Sequence, residues 1–278
     1  MPGIFRRIFS GFFIVLAAAG WIVLAPVAAL AQTKPLVTSL GPDFPKAGVF
    51  IGNSFFYYNN GMPGHLTQLE RAADPANKPA YRNTMVTIGG SGFDWHDVES
   101  YFRPNAIGSY SFDDNNNVVF AKRDKLFDVA VMMDCSQCPV HPKLKSVFTE
   151  HARKNSEIVR AKGARPVFFM SWAYADKPEM TAQLAEAYTT AGNDNNALVV
   201  PAGLAFARAI RAQPELNLYA VDKRHPSLAG TYLASCVLFA AFTGRSPVGN
   251  SYVAGIDAAT AQFLQTVAWE TVQEYYGK

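Results

Sequence analysis

Short apolar runs alternate with longer stretches of helical periodicity along most of the chain. Runs of about four to eight apolar residues between glycine, proline or polar residues are typical of buried strands, whereas apolar residues three and four apart are typical of helices. The predicted strands cover residues 48–51, 84–88, 127–133, 166–172 and 197–200. The predicted helices cover residues 62–73, 143–162, 178–191, 203–212 and 228–242. This alternation predicts an α/β domain with a parallel sheet between helices, and the asparagine-rich residues 113–117 predict a surface turn.

The N-terminal segment has the pattern of a secretory signal peptide. Arg6 and Arg7 precede a mostly apolar stretch over residues 8–30, which ends in an A-x-A site at residues 29–31. Cleavage after Ala31 would leave residues 32–278 as a single exported domain, in the periplasm or outside the cell. The alternative is an uncleaved anchor, because the run is long enough to span a bilayer. We expect contact with a membrane only if the segment is retained.

Composition and charge argue against an intrinsically disordered protein and against a nucleic-acid-binding protein. Hydrophobic residues make up 49% of the 278 residues and charged residues only 17%, so the chain can form a core and is not intrinsically disordered. The formal charge of +3 falls to +1 once Arg6 and Arg7 are removed. Since no other segment clusters lysine or arginine into a basic face, we expect no nucleic-acid partner.

The three cysteines are too few for a disulfide scaffold. In an exported protein, Cys135 and Cys138 could close a small disulfide loop, and Cys236 fits a buried position in an apolar helix. A thioredoxin-like redox centre is disfavoured, because prolines follow Cys138 where that centre needs a helix. The histidines share no metal-ligand spacing, so we expect no metal and no cofactor.

Polar residues follow the predicted strands at the edge where open α/β sheets form their sites. They are Asn53 and Ser54 after the first strand, Gly89 and Gly90 after the second, Asp134, Ser136 and Gln137 after the third, and Asp222 and His225 before the last helix. A serine hydroxyl, an imidazole and a carboxylate form a nucleophile, its base and the group that orients the base. Each residue taken alone also has a structural explanation, such as a helix cap, a tight turn or a surface ion pair.

The blocks that carry these residues resemble the SGNH (GDSL-like) hydrolase superfamily. Residues 49–60 (VFIGNSFFYYNN), 87–96 (TIGGSGFDWH) and 222–234 (DKRHPSLAGTYLA) are similar to its first, second and last blocks. The resemblance implies a flavodoxin-like three-layer α/β/α fold and hydrolysis of carboxylic esters without a metal. It implies Ser54 as nucleophile, His225 and Asp222 as the rest of the triad, and the Ser54 and Gly90 N–H groups as oxyanion donors. Gly92 is an alternative to Gly90.

The third block departs from the family. The resemblance implies an amide side chain here, asparagine or in some branches glutamine, but residues 127–139 (FDVAVMMDCSQCP) place Met133 at that position. Ser136, Gln137 or Asn53 could contribute to the oxyanion hole or to substrate binding instead. A non-catalytic surface or polysaccharide-binding protein of the same fold is therefore an alternative, as is an acyltransferase with the same triad. An ester of a small molecule or an acylated carbohydrate is the expected substrate, and Trp95, Trp172 and Tyr174 could stack on a sugar or pack in the core.

Overall fold

The computed structural model describes residues 33–42, 44–76, 82–107, 110–121, 123 and 125–278, which belong to one unit of the chain. The signal peptide and its cleavage site lie outside the described residues, so both stay predictions. Within the described part of the chain, no helix combines the length and the apolar character needed to cross a membrane.

A five-stranded parallel sheet forms the centre of the domain. Its strands are β1 (Ala47–Gly52), β2 (Arg82–Thr87), β5 (Val129–Met132), β6 (Arg165–Phe169) and β7 (Leu198–Val200), in the order β2-β1-β5-β6-β7. Strands β1, β5 and β7 are buried along their whole length, because helices cover the sheet. The predicted α/β fold is confirmed, and each predicted strand is present with bounds that differ by a few residues.

Helices flank this sheet. They are α1 (Ser54–Tyr57), α2 (Met62–Ala73), α3 (Val98–Tyr101), α4 (Lys145–Ala161), α5 (Met180–Asp194), α6 (Ala202–Ala212), α7 (Leu228–Thr243) and α8 (Ala258–Tyr276). From β1 the chain crosses to β2 in one direction, and from β5 through β7 it advances in the other. Since parallel crossovers are right-handed, the helices of these two parts cover opposite faces of the sheet. Helix α7 is buried on nearly all sides and packs against α2, α6 and α8.

Besides the one-turn helices α1 and α3, two larger features were not predicted from the sequence. The first is an exposed antiparallel hairpin of β3 (Tyr110–Phe112) and β4 (Val118–Phe120), whose connection is the predicted turn at residues 113–117. The second is α8, which packs along α7 through buried apolar residues such as Leu264 and Val272. Its packing against α7 extends the helical layer beyond the last predicted helix.

Candidate active site

Ser54 opens the short helix α1 directly after the buried strand β1. The preceding residue, Asn53, caps this helix by accepting a hydrogen bond from the Phe55 N–H through its side-chain oxygen (3.2 Å). Gly52 has no space for a side chain, since a Cβ there would lie 2.9 Å from the Phe56 ring. This tight strand-to-helix turn places the partly exposed Ser54 side chain at the carboxyl edge of the sheet.

Asp222 and His225 lie in a turn that immediately precedes helix α7. The Asp222 carboxylate accepts hydrogen bonds from the backbone N–H groups of Arg224 and His225, both at 3.0 Å. Lys223 takes a left-handed conformation (φ 64°), which closes the turn. Ser227 then caps α7 by accepting from the Gly230 N–H (3.2 Å). The turn therefore holds the carboxylate and the imidazole beside each other.

The structure brings Ser54, His225 and Asp222 into one hydrogen-bonded line. The Nε2 atom of His225 lies 2.7 Å from the Ser54 hydroxyl oxygen, and its Nδ1 atom is hydrogen-bonded to the Asp222 carboxylate. If Nδ1 carries the proton and donates to Asp222, Nε2 is left to accept the serine proton. The arrangement is the one required for a base that activates a hydroxyl nucleophile.

Aromatic rings hold the imidazole of His225 in this orientation. The Tyr58 ring stacks on it at a centroid distance of 4.1 Å, and the Phe55 ring meets it edge-on at 5.4 Å. Both aromatic residues come from the chain that follows Ser54. The nucleophile segment therefore also supplies the surface against which the base packs.

The pKa of Asp222 is lowered to about 2. Burial acts to raise this pKa, but hydrogen bonds from the His225 ring and from the backbone N–H groups of Arg224 and His225, together with the charge of His225, lower it further than burial raises it. Asp222 is consequently ionised at neutral pH, so that it accepts a hydrogen bond from the His225 ring and orients the ring.

Asn59 joins the nucleophile segment to the histidine turn. Its side-chain amide donates to the Pro226 carbonyl (2.9 Å) and to the Thr231 hydroxyl (2.8 Å). Its own carbonyl is hydrogen-bonded to Nε2 of the buried His65 (2.7 Å), whose Nδ1 contacts the Tyr252 hydroxyl (2.8 Å). Asn59 is left-handed (φ 53°), a conformation that asparagine tolerates better than most residues. The sequence interpretation did not identify this contact, although the Asn-Asn-Gly turn at residues 59–61 is a visible signal.

The two backbone N–H groups expected to hold the oxyanion, those of Ser54 and Gly90, are unused within the residues that the structure describes. Among the described residues, neither the Ser54 N–H nor the Gly90 N–H has a hydrogen-bond partner. Gly90 is exposed and left-handed (φ 75°), and a Cβ on it would meet nothing within 4 Å. Gly92, the alternative, is buried, and a Cβ there would lie 2.8 Å from both Asp134 and Asp94. The geometry favours Gly90 over Gly92 as the exposed donor.

The amide expected in the third block is absent from the site. Met133 is fully buried, and its thioether cannot donate a hydrogen bond. Asn53 does not replace it, because both of its amide hydrogens are engaged by the carbonyls of Ser91 and Asp134 (3.1 Å each). Asn53 instead ties the ends of three neighbouring strands together.

The third block continues as a disulfide-closed turn. Cys135 and Cys138 form a disulfide, while Cys236 is free and buried. Ser136 lies in the turn with its hydroxyl 2.6 Å from the Tyr174 hydroxyl, and Gln137 is exposed. Asp134, just before the turn, is buried and accepts from the N–H groups of Phe93 (3.1 Å) and Cys135 (2.6 Å) through one oxygen. Burial raises the pKa of Asp134 to about 7 despite these hydrogen bonds.

The aromatic residues near the strand ends differ in exposure. Trp172 is fully buried between Phe55 (4.7 Å) and Phe206 (4.2 Å), and its indole N–H donates to the Arg224 carbonyl (2.9 Å). Tyr174 is also buried, so both rings serve packing. Trp95 is 60% exposed. It is the one of the three that a sugar ring could cover.

The sequence matches no protein-family model and no curated protein among those compared. The structure is similar to a DUF4886 family protein from Bacteroides uniformis, with a TM-score of 0.58, 19% identity, and coverage of 83% of this chain and 95% of that chain. A candidate SGNH hydrolase from Slackia heliotrinireducens shares 25% identity at a TM-score of 0.51, over 72% of this chain and 99% of that chain. A candidate GDSL-like lipase from Parabacteroides merdae has a TM-score of 0.52 at 13% identity, over 71% and 95% of the respective chains.

Proposed function

We propose that this protein, which has an SGNH/GDSL-like hydrolase fold, is an exported serine hydrolase that cleaves carboxylic esters. The observation that carries the proposal is the hydrogen-bonded line from the Ser54 hydroxyl through His225 to Asp222. These side chains come from the end of β1 and from the turn before α7, which are 171 residues apart. A structural role for Ser54, such as a helix cap, would not require an imidazole at its hydroxyl.

The proposed reaction starts with attack of the Ser54 oxygen on the ester carbonyl. Nε2 of His225 takes the hydroxyl proton as the new C–O bond forms, and the carbonyl oxygen becomes negatively charged. His225 then gives this proton to the alcohol oxygen as the ester C–O bond breaks. The alcohol leaves, and the acyl group remains on Ser54.

Water then removes the acyl group from Ser54 by the same proton transfers in reverse order. His225 takes a proton from water as the water oxygen attacks the acyl-enzyme, and returns it to Ser54 when the carboxylic acid leaves. A sugar hydroxyl in place of water would make the same machinery an acyltransferase. The ionised Asp222 stabilises the imidazolium in both halves of the reaction.

The oxyanion would be held by the N–H groups of Ser54 and Gly90. Removing one oxyanion donor costs about 3 kcal/mol of transition-state stabilisation in a serine hydrolase. Met133 stands where the family offers a further donor, so we expect slower turnover than a site with three donors would give. The same observation favours the second candidate function, a non-catalytic polysaccharide-binding protein of this fold.

Two features support the exported location and the substrate class. The N-terminal segment has the pattern of a signal peptide, and the Cys135–Cys138 disulfide suits an oxidising compartment. Outside the cytoplasm, acylated carbohydrate is an accessible ester, and the exposed Trp95 is suited to a sugar face.

The decisive experiment compares the mature protein with Ser54→Ala and with Ser251→Ala, an exposed serine that serves as the control. Hydrolysis of para-nitrophenyl acetate and labelling by a fluorophosphonate probe are measured. We expect Ser54→Ala to lose the label and about 1,000-fold or more of the activity, and Ser251→Ala to retain both. A folded wild-type protein that is neither labelled nor more active than Ser54→Ala would establish the non-catalytic alternative.

A further inference from the structure

We propose that Arg224, with the Tyr174 and Ser136 hydroxyls, binds a negatively charged group on the alcohol part of the ester. This inference rests on the proposed function and extends it, since it specifies an acidic substrate such as an acylated sugar acid. The group defined by Arg224, Tyr174 and Ser136 is called the anion subsite below.

The guanidinium of Arg224 is held in place without being neutralised. It lies over the Tyr174 ring at 4.8 Å from the ring centroid. Within the described part of the chain, its side chain makes neither an ion pair nor a hydrogen bond. A guanidinium placed over a ring still has N–H groups that can bind a carboxylate through two hydrogen bonds. A positioned cation with unused donors is suited to an anionic ligand.

The two hydroxyls beside this cation provide one further donor. The hydroxyl oxygens of Ser136 and Tyr174 are 2.6 Å apart, so one hydroxyl donates a hydrogen bond to the other and the O–H of the second remains available. Tyr174 is buried and Ser136 is partly buried, which fixes the pair between the Cys135–Cys138 turn and the segment after β6.

The anion subsite is connected to the turn that carries His225. Arg224 precedes His225, the residue that would return a proton to the departing alcohol oxygen. The Trp172 indole, which stacks on Phe55 next to Ser54, also binds the Arg224 carbonyl. This link to the residue that would protonate the leaving alcohol is the reason for assigning the anionic group to the alcohol part of the ester.

The surrounding charges do not cancel that of Arg224. Asp222 is engaged by His225 and by two backbone N–H groups. Lys223 adds a second exposed cation. The Ala175 N–H donates to the Lys223 carbonyl (3.0 Å), which brings the neighbouring Asp176 close to this turn. No ion pair within 4.0 Å joins Asp176 to either cation in the described residues.

Two matched esters test the inference: para-acetoxybenzoate, whose alcohol part carries a carboxylate, and the neutral para-acetoxybenzamide. The ratio of their kcat/KM values is compared between the wild type and Arg224→Gln. We expect the ratio to fall about tenfold, because a charge-assisted hydrogen-bonded contact is lost. Arg224→Lys keeps the charge without the planar N–H fork, and should lose part of the preference.

Controls separate recognition from folding. Arg153→Gln removes an exposed arginine from α4 and should leave the ratio unchanged. Added salt should reduce the wild-type ratio and have little effect on that of Arg224→Gln. An unchanged ratio in Arg224→Gln, or equal losses on both esters, would overturn the anion subsite.

Binding distinguishes failure of this inference from failure of the proposed function. Saturation-transfer NMR with the two esters is recorded on Ser54→Ala and on the double variant Ser54→Ala/Arg224→Gln, neither of which needs to turn over. The anionic ester should give the stronger signal in the first and lose its advantage in the second. If the wild type hydrolyses neither ester but this pattern holds, the hydrolase proposal fails and the anion subsite stands. If the advantage persists in the double variant, the anion subsite is wrong.

Discussion

The carboxyl group of Asp134 is buried where β5 ends, beside the loops that carry Ser136 and Gly92. Burial disfavours its charged form and raises its pKa from 3.8 to about 7. The unfolded chain loses this proton near pH 3.8, whereas the folded protein retains it until about pH 7. The stabilisation from this group is therefore complete below pH 3.8 and is lost as the pH rises through about 7.

Asp134→Asn removes this titration and keeps an oxygen for the Phe93 and Cys135 N–H groups. We expect the melting temperature of the wild type, relative to the variant, to be higher at about pH 5 than at about pH 8. Thermal unfolding at the two pH values measures this difference. The exposed Asp114→Asn serves as the control, and its difference from the wild type should not follow the same trend. A constant offset between the wild type and Asp134→Asn at both pH values would contradict the assignment.

At the residue scale, the local sequence identified some residues of the candidate site but not others. Ser54 and Gly90 stand at strand ends, and Asp222 and His225 are three residues apart before an apolar helix. Their catalytic roles stay predictions, although the structure places the three triad side chains in contact. The contact of Asn59 with Pro226 could not be found in this way, because it joins residues 167 positions apart through a side-chain amide.

The turn that carries Asp222 and His225 directly precedes helix α7. Gly230, in the first turn of α7, sets how closely the helix approaches the segment before it. A Cβ on Gly230 would lie 2.3 Å from the Leu218 carbonyl oxygen and 3.2 Å from Pro226. Leu218 opens the segment that leads to Asp222, and its carbonyl also accepts from the Ser227 N–H (2.9 Å). A side chain at this position must therefore displace backbone that supports the triad.

We predict that Gly230→Ala destabilises the protein by about 1–3 kcal/mol through overpacking. Hydrolysis of para-nitrophenyl acetate should fall as well, because the His225 turn moves relative to Ser54. Gly64→Ala is the matched control, since nothing lies within 4 Å of a Cβ in that part of α2. That variant should gain about 0.5–1 kcal/mol by favouring the helix and retain full activity. Urea unfolding and ester kinetics measure both, and a Gly230→Ala protein as stable and active as the wild type would exclude this role for the contact.

At the element scale, the helices and strands that have a strong local pattern of apolar and polar residues were predicted. Four of the strands are short, mostly apolar and buried runs, and β2 (RNTMVT) is a partly exposed strand that was predicted from its alternating pattern, so all five were identified. The β3–β4 hairpin was missed because its apolar residues are exposed and its strands have only three residues each. Helix α8 mixes polar and apolar positions and is buried mainly through its contact with α7, which periodicity alone does not reveal.

For the molecule as a whole, the fold agrees with the resemblance, and residues 32–278 form one unit by their contacts. Export is a separate proposal that rests on residues 1–31 and on the oxidised pair Cys135–Cys138. The disulfide closes the turn that presents Ser136 to Tyr174, so the compartment affects the site itself. A chain that remained in a reducing cytoplasm would lack this covalent closure.

We predict that the full-length chain, expressed in a bacterium, is recovered outside the cytoplasm with Gln32 as its first residue and with one disulfide. Intact-mass measurement before and after alkylation gives both results, because cleavage removes residues 1–31 and the disulfide protects two thiols. Ala31→Phe should block cleavage, since the site requires small residues, and should leave the protein with the membrane fraction. Ala28→Phe, just outside the A-x-A site, is the matched control and should be processed normally. Recovery of the wild type at full length in the membrane would show instead that the segment is an anchor, and the hydrolase would then act at the membrane surface.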